Sequence, residues 1–262
     1  MPYGESVKTR ALLVLAAVGA VLLSGCTSGG NQPPAASSAP ASPTPIFDTQ
    51  ANAALQDAMA KSSAGSYRLS GDIEYTATGG ATQRVELEMQ TDPKAQQMSM
   101  AVITSGTRIE MRVIGTDFYV AGMPGLGKKW ARVDGTKVAG LGDLFTVSDQ
   151  NFALLKGVVE LSAGPNGVFQ GVIASQTALD RATTDGTRAT LAKIVKVGPM
   201  NARIPFTVTI RDGYLIAMTT EYSAEVNNAV VPGKFAIRLT DFGKPVTVAA
   251  PPAKDVVSAP SS

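Results

Sequence analysis

The residues best placed to do chemistry are Leu23-Ser24-Gly25-Cys26, which set the only cysteine of the chain behind an apolar run and two small residues. Lys8 and Arg10 precede the uncharged stretch from Ala11 to Leu23, the basic and apolar regions of a secretory signal. That stretch is well short of the ~20 residues needed to cross a bilayer as a helix. It is expected to be removed, covering residues 1–25. The chemistry implied is diacylation of the Cys26 thiol, with Cys26 becoming the first residue of the mature chain. Two acyl chains hold a protein stably at a membrane where one alone is marginal. The competing reading is an ordinary secretory signal with an incidental cysteine.

Other reactive constellations are largely ruled out by composition. Histidine is absent and the single cysteine is assigned to lipid, so the common zinc sites, Ser-His-Asp triads and Cys-His pairs have no residues to draw on. A net charge of +2 lacks the concentrated basic excess that nucleic-acid binding needs. Asp241-Phe-Gly243 spells a kinase magnesium triplet, but none of the accompanying kinase motifs is present, and it reads as a turn. Gly122-Met-Pro-Gly-Leu-Gly127 lacks the Gly-Lys-Ser/Thr ending of a phosphate loop and joins two expected strands, so it reads as a hairpin loop. Thr190 and Lys193 have the spacing of a nucleophile pair without its partner motifs and read as helix surface. Lys128, Lys129, Arg181, Arg188, Lys193, Lys196 and Arg203 form a local basic bias. It suits either a solvated face, since Asp180 and Asp185 interrupt it, or contact with anionic head groups. Trp130, the one tryptophan, fits core or the edge of an opening. An enzyme is therefore not expected, and neither a metal nor another cofactor is called for.

The elements around these residues divide the chain. Ser, Pro, Ala and Gly dominate Thr27 to Pro45, so residues 26–47 are expected to be a disordered tether. A folded domain is expected over residues 48–248, and a disordered Pro/Ala tail over 249–262. Asp48 offers an N-cap to a helix carrying Ala51, Ala54, Leu55, Ala58 and Met59. From Ser66 the apolar period changes to two, through Leu69, Ile73, Leu87, Met89, Met98, Met100, Ile109 and Met111. Turns at Gly79-Gly80, Asp92-Pro93, Ser105-Gly106 and Gly115 divide this stretch into six antiparallel strands ending near Val133. Leu141, Leu144, Phe145, Phe152, Leu154, Leu155, Val158 and Val159 are spaced for one or two helices. A strand over Gly167 to Ile173 follows, then short helices over Ser175 to Thr183 and Thr187 to Val197. Strands return through Phe206 and Val208, Met218, and Lys234 to Thr240, with Val246 and Val248 as an edge.

This order predicts an α+β fold, a strongly curved antiparallel sheet or half-barrel with helices covering its concave apolar face. An incompletely covered apolar face leaves a hydrophobic cavity, the usual place for apolar ligands. Its expected lining is Leu69, Ile73, Leu87, Met89, Met98, Met100, Ile109, Met111, Leu144, Phe152, Leu155, Phe206, Val208 and Met218. The nine methionines suit a lining that repacks easily, and equally suit gap-filling in a core. A one-residue slip in register would exchange inside for outside.

The lipobox, the strand from Ser66 (Ser-Tyr-Arg-Leu-Ser-Gly-Asp-Ile), Phe118-Tyr-Val followed by Lys129-Trp-Ala-Arg-Val-Asp134, and the closing run from Thr240 to Val248 together resemble the LppX/LprG family of actinobacterial lipoproteins. A more distant resemblance is to the lipoprotein carrier LolA. The resemblance implies a membrane-anchored lipoprotein on the extracytoplasmic face, binding acyl chains of lipids or glycolipids and carrying or presenting them. The alternative is an envelope sensor on the same scaffold, with a protein partner and no transported lipid.

Overall fold

The computed structural model describes residues 47–258 except 77–79, 135–151, 186, 190, 193–201 and 227–228. Helix α1 (Thr49–Ser63) opens the domain, its first turn capped by the Asp48 carboxylate, which accepts from the backbone N–H groups of Gln50 and Ala51, both at 2.9 Å. Six strands follow: β1 (Tyr67–Thr76), β2 (Thr82–Asp92), β3 (Gln97–Thr104), β4 (Thr107–Ile114), β5 (Asp117–Ala121) and β6 (Trp130–Asp134). A 3-10 helix (Ala153–Gly157), β7 (Val158–Ala163), β8 (Val168–Ala174) and the short helix α2 (Ser175–Asp180) form the middle of the chain. Three long strands, β9 (Arg203–Arg211), β10 (Tyr214–Val226) and β11 (Ala229–Thr240), and the short β12 (Val256–Ser258) complete it.

Among the described residues twelve strands join one open sheet in the order β12-β6-β5-β4-β3-β2-β1-β11-β10-β9-β8-β7. Every pairing is antiparallel except that of β12 with β6. Its curvature has local causes. Register shifts interrupt β9–β10 at Leu215/Ala217 and β7–β8 at Val158/Glu160, and bulges bend the strand that carries them. Strand glycines also let neighbours lean across the apolar face. A Cβ on Gly71 would lie 2.4 Å from the Ala236 carbonyl oxygen and 2.7 Å from the Ile237 methyl, and one on Gly233 would lie 2.4 Å from the Tyr222 ring. Gly71→Val is accordingly expected to cost about 1–3 kcal/mol, the usual penalty of overpacking, read as a lower urea midpoint with an unchanged slope.

The structure departs from the sequence reading in the middle and at the end of the chain. Val158 and Val159 belong to β7, and the described residues just before them, Ala153–Gly157, form a 3-10 helix, because the i, i+4 spacing of Leu154, Leu155, Val158 and Val159 coincides with a β-branched run that suits a strand; Leu141, Leu144 and Phe145 lie outside the described residues. Val246 and Val248 are not a strand; the edge is β12, farther on. The tail expected to be disordered from residue 249 is instead ordered through residue 258. Its carbonyls find side-chain donors, Arg112 giving 2.8 Å to Ala249 and Lys129 2.8 Å to Lys254, while Gln97 accepts from the Val248 N–H at 3.1 Å. Proline and alanine cannot supply a ladder, but side chains already standing on the sheet replace it. Trp130 begins β6 and is not core. It is half-buried on the polar side, with the Arg112 guanidinium 4.4 Å from its ring centre.

Candidate functional site

The register brings the alternating apolar residues onto one face. Leu69 lies opposite Met89, Met89 opposite Met100, and Met100 opposite Met111. The next row runs from Met218 through Ile237 and Gly71 to Leu87, Val102 and Ile109, and Val208 extends it on the other side of Met218. Phe206 and Ile73 share a third row through Thr220 and Phe235. The intervening residues carry the charges of the other face. There Arg84 sits among Asp72, Glu74 and Glu86, Arg108 bonds Glu88 and Glu110 at 2.9 and 2.8 Å, and Arg132 bonds Asp117 at 2.7 Å. These pairs are solvent-exposed and each contributes little. Their main effect is to mark the wet side.

The expected lining residues differ in how deeply they lie. Leu69, Met89, Met98, Met111, Phe152, Leu155, Phe206, Val208 and Met218 are buried in one cluster, against which half-buried Leu87 and Met100 pack. Ile73 and Ile109 are half-buried, and Leu144 lies outside the described residues. Two elements press on the clustered part of the face. Helix α1 contributes Leu55, Ala58 and Met59, and is fixed by the Ser62 hydroxyl, which accepts from the Leu215 N–H at 2.9 Å, and by Lys61, which donates to the Asp212 carbonyl at 2.7 Å. Phe152 and Leu155 come from the 3-10 turn.

Burial is graded along the strands. Near the β2–β3 and β4–β5 turns Tyr67, Leu69, Met89, Met98, Val113 and Leu239 are sealed, whereas toward the β1–β2 and β3–β4 turns Ile73, Tyr75, Val85, Val102, Ile109 and Phe235 are half-buried. The sequence reading did not include Tyr75, Tyr222 and Phe235 among the lining. Tyr75 and Tyr222 lie in one cross-strand row on either side of Gly233, and burial, with Tyr75 beside it, raises the Tyr222 pKa above the ordinary phenol value. The signal available in the sequence was a strand glycine facing aromatics, legible only once β1, β11 and β10 are known to be neighbours.

The remaining motifs are structural. Asp241 and Gly243 take positive φ in a turn whose Phe242 stacks on Tyr214 at 4.4 Å, and a hydrogen bond from Lys244, with Arg68 nearby, holds the Asp241 carboxyl below its ordinary range. The Gly122–Gly127 segment joins β5 to β6. A groove of about 660 Å³ runs under the closing segment, between Arg68, Glu88, Arg108, Glu110 and Arg112 on the polar side and Thr247 to Ala249 above. Its charges are matched within the sheet. Among the described residues no group of three or more His, Cys, Asp or Glu side chains could hold a metal ion, and no helix is long and apolar enough to cross a membrane.

No family model and no curated protein matches the sequence. Among solved structures the chain is similar to LprF from Mycobacterium bovis, with a TM-score of 0.48 and 16% identity over 78% of this chain and 98% of that one. Lipoprotein LppX of Mycobacterium tuberculosis follows, with a TM-score of 0.43 and 12% identity over 78% of this chain and 100% of that one. Its resemblance is to the LppX and LprF lipoproteins. A LolA superfamily protein from Nitrosomonas europaea is similar at a TM-score of 0.33 and 8% identity, over 78% and 96% of the two chains. These likenesses concern the course of the chain, and the fold itself rests on the strand pairings.

Proposed function

We propose that this protein is a lipoprotein of the cell envelope, anchored through Cys26 on the extracytoplasmic face, that binds acyl chains of lipids or glycolipids against the apolar face of its sheet and carries or presents them. The observation that carries the reading is the graded face. Over β1 to β4 the aliphatic and methionine side chains in register form a continuous apolar surface, sealed toward the β2–β3 and β4–β5 turns and half-buried toward the β1–β2 and β3–β4 turns. A packed core would have its apolar residues sealed at both ends. An acyl chain laid along such a surface gains about 0.8 kcal/mol for each methylene buried. Two long chains are therefore held without any covalent step, and the unbranched methionines adjust to their shape. Polar recognition is left to the half-buried end, where Tyr75 and Tyr222 offer hydroxyls.

The test is native mass spectrometry of the Cys26→Ala chain purified from its own host. Lipid that stays bound in the gas phase and is released on unfolding is the expected result. A chain that arrives empty and also excludes fluorescent fatty-acyl probes refutes the carrier reading and leaves the sensor alternative.

A further inference from the structure

Strands β9 and β10 part before either ends. Their ladder runs from Tyr214/Arg211 to Thr220/Phe206 and stops there, although β9 begins at Arg203 and β10 continues to Val226. Each keeps its other neighbour through the parting. Pro205, Ile204 and Arg203 stay in register with Val172, Ile173 and Ala174 of β8, and Glu221 to Val226 stay in register with Lys234 to Ala229 of β11. Proline explains the place. Pro205 is the residue that would face Glu221 next, and it has no N–H with which to continue the ladder. The sheet therefore forks between β9 and β10.

A cleft of about 640 Å³ lies at this fork, and residues of both faces of the sheet border it. Tyr75, Tyr222 and Ile204 belong to the apolar rows, two positions along from Ile73, Thr220 and Phe206; Glu74, Glu221, Lys234 and Arg203 belong to the wet rows between them. An intact ladder holds neighbouring backbones ~4.8 Å apart and shuts one face from the other. The charges at the cleft balance, Lys234 and Arg203 against Glu74 and Glu221, and Arg203 and Glu74 already have partners in Glu160 and Arg84. Hydroxyls remain. Thr76, Thr82 and Ser223 stand in the wet rows, while on the apolar side the Tyr222 ring lies over Gly233, toward Tyr75. Burial keeps the Tyr222 phenol protonated, so it can donate as well as accept. Among the described residues it has no hydrogen-bond partner, whereas a tyrosine hydroxyl drawn out of water ordinarily finds one.

We infer that the β9–β10 fork is a head-group site: the acyl chains lie along the apolar face, and an uncharged, hydroxyl-rich head group sits in the fork between Pro205 and Glu221, reaching toward the wet face. This rests on the acyl-carrier reading and narrows its ligand. The cleft has the size of ordinary ligand sites, ~300–1,000 Å³. Balanced charges give no net attraction to a phosphate, whereas sugar-type hydroxyls can bond Ser223, Thr76 and the two phenols directly. A head group left on the apolar face would lose its hydrogen bonds to water. The fork lets it keep them.

Two variants block the fork by different means. Pro205→Val supplies the missing N–H and lets the ladder extend, and Ser223→Trp fills the cleft from an exposed position. Displacement of pyrene-labelled hexadecanoic acid from the Cys26→Ala chain is followed with dipalmitoylglycerol, its monoglucosyl derivative and dipalmitoyl phosphatidic acid as competitors. With the fork open, the glucosyl lipid is expected to compete several-fold better than either of the others. Both variants are expected to abolish that preference while holding the labelled acid as before. A preference that survives both variants, or is missing while the fork is open, overturns the head-group site with acyl binding intact; a preference for the phosphatidic acid overturns the uncharged class. If the chain takes up neither the labelled acid nor any of the lipids, the carrier reading has failed and the fork loses its ligand with it.

Discussion

Cys26→Ala is expected to move the protein almost completely from the membrane fraction to the soluble fraction. The thiol is the only sulfur nucleophile in the chain, so no other cysteine can take the diacylglycerol. Each acyl methylene contributes about 0.8 kcal/mol to membrane partition, and two chains make the attachment stable where a single one leaves it marginal and reversible. Removing both deletes far more free energy than surface cations return, because a single cation near an anionic surface is worth only about 1 kcal/mol. No described helix replaces the anchor by crossing the bilayer. Fractionation of the host, with vesicle co-sedimentation of the purified chain, reads the change directly. Persistent sedimentation of the alanine variant would reveal another anchor and remove the lipobox from the mechanism.

The second large effect is expected at Met100. This residue lies between Met89 and Met111 in the central row of the apolar face and is half-buried, so an indole there occupies space over the sheet and displaces few packed neighbours. Met100→Trp is expected to lower bound lipid several-fold, by native mass spectrometry or displacement of a fluorescent acyl probe, with thermal unfolding nearly unchanged. Met111 is buried, and the same substitution there should add the ordinary overpacking penalty of about 1–3 kcal/mol to a similar loss of loading. The contrast separates the two causes, since a stability effect alone would follow Met111 and spare Met100. Unchanged loading in both variants would put the acyl chains elsewhere.

The difficult step from sequence to site was the choice of faces, and it rests on a local rule. Side chains alternate along a strand, so Leu69, Met89, Met100 and Met111 had to share one side once each was in register with the next. Turn chemistry supplied that register through Ser105-Gly106 and Gly115, where positive φ closes the hairpins. Where local signals competed, the reading failed. Val158 and Val159 satisfy both a helical spacing and a strand preference, and the strand won because β8 offers a ladder that begins with Ile173 opposite Val158. The closing segment failed for another reason. Its Pro/Ala composition describes what it cannot do with itself, whereas its order depends on Gln97, Arg112 and Lys129, far away in the chain.

The sequence by itself determined the types and the periodicity: the lipobox, the absence of histidine chemistry, the N-capped helix, and the alternation that makes one face of each strand apolar. These are short-range properties, written within a few residues of one another. Tertiary structure alone decided which strands are neighbours, and so brought Tyr75 and Tyr222 together across Gly233. It also left one end of the apolar face half-buried over β1 to β4. Such arrangements join residues more than a hundred positions apart, and no local pattern encodes them, because they follow from the order in which a curved sheet pairs its strands.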